Sequence, residues 1–118
     1  MGINSTEVAY NFGQLGSVYT TASSDAIIPP TNKVFVAITM LSDTVFDSTT
    51  GLLSTEPAKY INTSATVAND LAAGSETTDG GSGGKTVDSV TFPKGVTIYG
   101  RWNEIDINSG AIVAYIGD

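Results

Sequence analysis

The stretch TIYGRWNEI, Thr97 to Ile105, holds the only tryptophan of the 118-residue chain, and its phase decides how the C-terminal third folds. In a strand, successive side chains point to opposite faces. That rule groups Val96, Ile98 and Trp102 on one side and Thr97, Tyr99 and Arg101 on the other. Continued without a break, the same register turns Glu104 and Asp106 inward and Ile105 and Ile107 outward, the reverse of what burial favours. The phase therefore slips between Trp102 and Ile105. A β-bulge or bend within Gly100 to Asn103 accounts for the slip, since glycine inside a strand commonly marks such a place. Read this way, Trp102 anchors the core and does not form one stacking platform with Tyr99 and Arg101. Tyr99 and Arg101, residue types enriched at interfaces, are candidate contact residues.

Outward from this stretch the chain reads as strands and turns. Downstream, Asn108-Ser109-Gly110 predicts a hairpin turn into AIVAYIG, Ala111 to Gly117, which is apolar on both faces. Upstream, Pro93-Lys94-Gly95 turns the chain after KTVDSVTF, where Val87, Val90 and Phe92 alternate imperfectly. NKVFVAITML is the clearest strand: Val34, Val36, Ile38 and Met40 alternate with Lys33, Phe35, Ala37 and Thr39, and both sides are largely apolar. DTVFD supplies a further short strand, and Pro29-Pro30 halts any ladder before Lys33. Residues 1–25 mix isolated apolar residues with Gly13 and Gly16 and read as an extended arm or edge strand, in which Tyr10, Phe12 and Leu15 are candidate contact residues. From 47 to 88 the signal weakens into a long loop-rich insertion, which Leu52, Leu53, Tyr60, Ile61 and Leu71 can pin and whose tip has linker composition. The expectation is one all-β domain over residues 1–118. It is a compact antiparallel β-sandwich or barrel-like unit with an extended N-terminal arm and a long flexible central loop.

Composition narrows the chemistry. The chain has no cysteine and no histidine, so disulfides, thiolate metal sites and Ser-His-Asp or Cys-His machinery within one chain are excluded. The formal net charge is −7, and the five basic residues are scattered, which argues against nucleic acid as a partner. No apolar run approaches the roughly 20 residues of a membrane span, and the N-terminus has no signal-peptide pattern. With 14% charged residues, most polar surface is Thr, Ser, Asn and Gly, which favours strands and turns.

Motifs that carry chemistry fail their context tests. DGGSGGKT, Asp79 to Thr86, has aspartate where a phosphate-binding loop has its first glycine, and the segment after it reads as strand. Glu104 and Asp106 share a strand face roughly 7 Å apart, but they point in parallel, whereas glycosidase carboxylates flank a cleft. Neither Asp43 with Asp47 nor Glu76 with Asp79 follows a calcium-loop pattern. The sequons at Asn4 and Asn62 and the Met1-Gly2 start read as small polar loops. No enzyme, cofactor or metal is expected.

Taken as an ordered set, YNFGQLGSVY, PPTNKVFVAITMLSDTVFD and FPKGVTIYGRWNEIDINSGAIVAYIG resemble small β-rich virion structural proteins of tailed phages, especially marine ones. The resemblance covers most of the chain, with 47–88 as its variable part, and its signatures are structural and not catalytic. It implies a capsid decoration (cement) protein on the outer surface of the head. The implied partners are the major capsid protein and further copies of itself, as trimer or dimer. A tail- or fibre-associated glycan-binding module is the alternative.

Overall fold

β-Branched and aromatic residues crowd the segments that pair, while glycine, proline and aspartate sit where the chain leaves one sheet for another. The computed structural model describes residues 15–22, 25–56, 59–63, 77–78, 81–82 and 86–118. In chain order the strands are β1 (Ser17–Thr21), β2 (Val34–Met40), β3 (Thr44–Phe46), β4 (Leu52–Ser54), β5 (Thr77–Thr78), β6 (Gly81–Ser82), β7 (Thr91–Phe92), β8 (Thr97–Ile105), β9 (Ile107–Ser109) and β10 (Ala111–Gly117). No helix forms among the described residues. A five-stranded antiparallel sheet has the order β1-β10-β2-β8-β4, and a three-stranded antiparallel sheet has the order β7-β3-β9. Among the described residues β5 and β6 pair with each other alone. One buried cluster draws Phe35, Ile38, Met40, Trp102, Ile112 and Ile116 from the larger sheet and Phe46 and Ile107 from the smaller.

The slip anticipated in β8 is present. Ile105 pairs with Leu52 and Glu104 with Leu53, but Ser54 pairs with Trp102, so Asn103 is one residue extra on β8. Trp102 and Ile105 are consequently both fully buried. A second irregularity crosses the centre of the sheet. Ala114, Ile38 and Ile98 lie in one row, and Ile116, Phe35 and Trp102 lie in another. Between these rows β10 advances two residues, β2 three and β8 four. Each strand across needs one more residue to span the same interval, so the sheet fans and bends there. The grouping of Val36 with Ile38 and Met40 breaks at this point. Phe35 enters the core, and Val36 is left half-buried as the additional residue of β2.

Three expectations are corrected. Asn108-Ser109-Gly110 is not a hairpin: β9 pairs with β3 and β10 with β1 and β2, so the chain crosses between sheets at Gly110. Gly110 has φ 101°, and a Cβ there would lie 2.5 Å from the Asp43 carbonyl oxygen, so both conformation and space require glycine. KTVDSVTF is strand only at Thr91–Phe92, because Asp88-Ser89 turns the chain and the Val90 amide donates back to the Val87 carbonyl at 3.2 Å. The 47–88 insertion contains β4 at the edge of the larger sheet, with Leu52 fully buried. Apolar content alone understated it, since Asn62 and Thr63 are also fully buried and β4 is held through Thr63. Of the insertion's tip, Thr77–Thr78 and Gly81–Ser82 form a paired ribbon. The rest of the tip and Leu71 fall outside the described residues, as do Tyr10 and Phe12 with most of the expected arm.

Candidate functional site: the outer face of the larger sheet

Strand register assembles a surface that no single segment announces. One cross-strand row runs Tyr19, Val113, Thr39, Thr97, and the next runs Ser17, Tyr115, Ala37, Tyr99. Directly opposed residues share a face, as do residues two apart on a strand, so all eight lie on one side of the sheet. The opposite side carries Ile112, Ala114, Ile38 and Met40 into the core.

Tyr19 on the edge strand is 64% exposed and Tyr99 is 63% exposed. Three strand spacings across and two residues along separate them, roughly 16 Å. Between them Tyr115 is half-buried and Ala37 only 2% exposed, so the middle of the face is shallow and closely packed. The Thr39 and Thr97 hydroxyls meet at 2.9 Å across β2 and β8. None of these eight residues carries a charge, in a chain whose net charge is −7. Such a face suits contact with a surface that is itself polar but neutral: tyrosine adds large apolar area at little entropic cost while keeping a hydroxyl for hydrogen bonds.

Of the contact residues expected from sequence, Tyr99 lies on this face. Leu15 is exposed just before β1, at the sheet's edge. Arg101, two residues along β8 from Tyr99, lies on the same side but is engaged in polar contacts. Its Nη1 donates to the Asp118 carbonyl at 2.7 Å, and its Nε lies 3.8 Å from Glu56. Lys59 pairs with the same Glu56 at 3.3 Å, and Lys33 pairs with Asp118. Arg101 thus belongs to a charged rim that ties β8 to the end of β10 and borders the two tyrosine rows on the same side of the sheet. Tyr19 and Tyr115 were missed by sequence reasoning. Each alternates locally with buried or half-buried neighbours, but only non-local pairing aligns them with Tyr99.

Trp102 is fully buried and donates its indole N–H to the Ile61 carbonyl at 2.7 Å, so it anchors the insertion from beneath. Its ring lies against Gly100, where a Cβ would come within 2.6 Å of Cζ2. Of the carboxylates considered for chemistry, Asp106, Asp43 and Asp47 have structural partners, and Glu76 and Asp79 lie outside the described residues. Asp106 accepts from the Thr50 hydroxyl at 3.3 Å, and Asp43 accepts from the Lys94 amide at 3.0 Å. Asp47 accepts the Thr49 and Thr50 amides at 2.7 and 3.0 Å, and these bonds, that from Thr50 foremost, hold its carboxyl below the ordinary aspartate value. Among the described residues no three acidic side chains gather where a metal ion would be held. Asn62 is fully buried, which is the position of a structural asparagine and not of a glycan acceptor.

The fold and site define an all-β domain with a neutral, tyrosine-bearing sheet face. Comparison with known proteins found no matching family model, no matching curated protein and no matching solved structure. Among the described residues no helix is long and apolar enough to cross a membrane.

Proposed function

We propose that this chain is a capsid decoration protein that binds the outer surface of a phage head, chiefly through the outer face of its five-stranded sheet. The observation that carries the reading is the placement of two exposed tyrosines, Tyr19 and Tyr99, on one side of the sheet, in two cross-strand rows that carry no charge in an otherwise acidic chain. A face of this kind fits a preformed protein surface such as the major capsid protein, where tyrosines act as anchors and neutrality avoids a desolvation cost. The family-like segments point the same way, and β2, β8 and β10 of that sheet come from them. We read the two sheets as the layers of a sandwich, supported by the single buried cluster to which both contribute.

The test is co-sedimentation of the full chain with heads that lack it, followed by location of the chain in a reconstruction of the particle. Wild type is expected to bind the head exterior with the tyrosine face inward, and Tyr19→Asp with Tyr99→Asp to abolish binding without unfolding the domain. A chain found in the tail alone, or binding untouched by both substitutions, overturns the reading. The glycan-binding alternative keeps the same tyrosines but loses Trp102, which is fully buried. A glycan array decides it: specific binding that disappears with the tyrosines would replace the decoration reading.

A further inference from the structure

The five-stranded sheet ends at β4 on one side and at β1 on the other, and the two edges differ. β4 is closed by its own chain. The Leu52 amide donates to Thr63 Oγ1 at 3.2 Å, and the Leu52 carbonyl accepts the Thr63 amide at 2.9 Å. At β1 the ladder phase is set by two bonds: the Ile116 amide donates to the Gly16 carbonyl at 2.9 Å, and the Ala22 amide donates to the Gly110 carbonyl at 3.2 Å. With the observed register, Gly16, Val18, Thr20 and Ala22 turn their backbone groups toward β10. Ser17, Tyr19 and Thr21 therefore turn theirs to the open edge. Among the described residues the hydrogen bond made to these outward groups is that of the Thr20 hydroxyl to the Thr21 carbonyl, at 3.3 Å. Edges are ordinarily blunted by charge, proline, a bulge or extreme shortness. Ser17–Thr21 has five residues, no charge, no proline and an unbroken register with β10.

We propose that this edge pairs with the same edge of a second copy, antiparallel about a two-fold axis, with Tyr19 opposite Tyr19 and Ser17 opposite Thr21. The pattern of outward groups selects this occupant. Three alternate residues centred on Tyr19 are self-complementary in an antiparallel pair, each outward amide meeting an outward carbonyl of the copy. Charge points the same way. Copies of a chain with net charge −7 repel wherever acidic surfaces meet, and β1 is a strip on which both partners are neutral. The pairing sets the two outer faces side by side, with the Tyr19 pair at their junction, and so doubles the tyrosine face. It deepens the self-association in the decoration reading, and depends on that reading only for the use made of the joined face.

Sedimentation velocity of the full chain at about 0.1 mM, where weak interfaces are populated, is expected to give a dimer. Amide exchange is expected to be slowed at Ser17, Tyr19 and Thr21 as concentration rises. Tyr19→Pro removes an outward amide and leaves the β10 ladder intact, so it should weaken association about 10- to 100-fold, with Tyr19→Phe unchanged. Thr21→Pro does the same at a second site and covers the case that one variant misfolds. A monomer or trimer at that concentration, or a dimer indifferent to both prolines, overturns the proposal. These measurements use no phage heads, so failure to bind a head would leave the dimer standing, and failure to dimerise would leave head binding to be judged separately.

Discussion

At Gly100 a missing side chain sets the position of the largest one. The Trp102 ring occupies the volume a Cβ would take, at 2.6 Å, so Gly100→Ala must push the indole or bend β8. The expected cost is about 1–3 kcal/mol by denaturant titration, with a shift in tryptophan emission reporting that the ring has moved. An unchanged midpoint would mean that Trp102 is loosely held. Asp47 makes a different kind of contribution. Its carboxylate accepts two amides of the turn that follows, so it is a stronger acid folded than unfolded. A group with a lowered folded-state pKa adds stability above its unfolded value, near 4, and that addition fades as pH falls through the lower folded value. Asp47→Asn keeps an accepting oxygen but cannot titrate. It is expected to flatten the dependence of melting temperature on pH below about 4, while Asp47→Ala lowers the melting temperature at neutral pH as well. A variant with the wild-type pH profile would contradict this assignment.

At the scale of the element, one residue, Asn103, reconciles Trp102 with Ile105. Because it is the extra residue against β4, deleting it restores plain alternation, with Trp102 and Ile105 still inward. Inserting an alanine after it also keeps Trp102 and Ile105 in phase, four residues apart, but leaves two residues of β8 unmatched where Leu53 meets Ser54, so the pairing of β4 must slip or open. Both variants are therefore expected to unfold cooperatively with reduced stability, the insertion melting lower because it also loses the β4 pairing, as read by circular dichroism and thermal melts. This slip was legible in sequence because phase is a local property, and Ile105 and Ile107 are too apolar to face water on the side opposite a buried Trp102. The same reasoning could not see that Asn108-Ser109-Gly110 crosses between sheets. A glycine with positive φ serves a hairpin and a crossover equally, and the choice is made by β3 and β10 at other points of the chain. Nor could it see β4, whose three residues are held by Thr63 and by Trp102 through Ile61, contacts made by polar groups that carry no hydrophobic period. The candidate site divides the same way. Tyr99 was readable from β8 alone, whereas Tyr19 and Tyr115 join it only through register.

For the molecule as a whole, charge and apolar surface are kept apart, and salt separates the two ways it can bind. The two tyrosine rows are neutral, while Arg101, Lys33 and Lys59 are each paired with Glu56 or Asp118 in a rim at their border. If the sheet face docks on a head, the pairing contributes no favourable long-range attraction, and the acidic remainder of the chain repels any acidic part of the lattice. Raising sodium chloride from about 50 to about 500 mM shortens the screening length severalfold and weakens such repulsion. Affinity for heads is then expected to hold or to rise, and Arg101→Ala to leave it within about twofold, as befits an exposed ion pair that binding does not use. Docking through the rim predicts the opposite: affinity falls steeply with salt, and Arg101→Ala costs more than Tyr99→Ala. Head-binding isotherms of these variants at the two salt concentrations therefore identify which surface meets the head, and a steep loss with salt would remove the tyrosine face from that role.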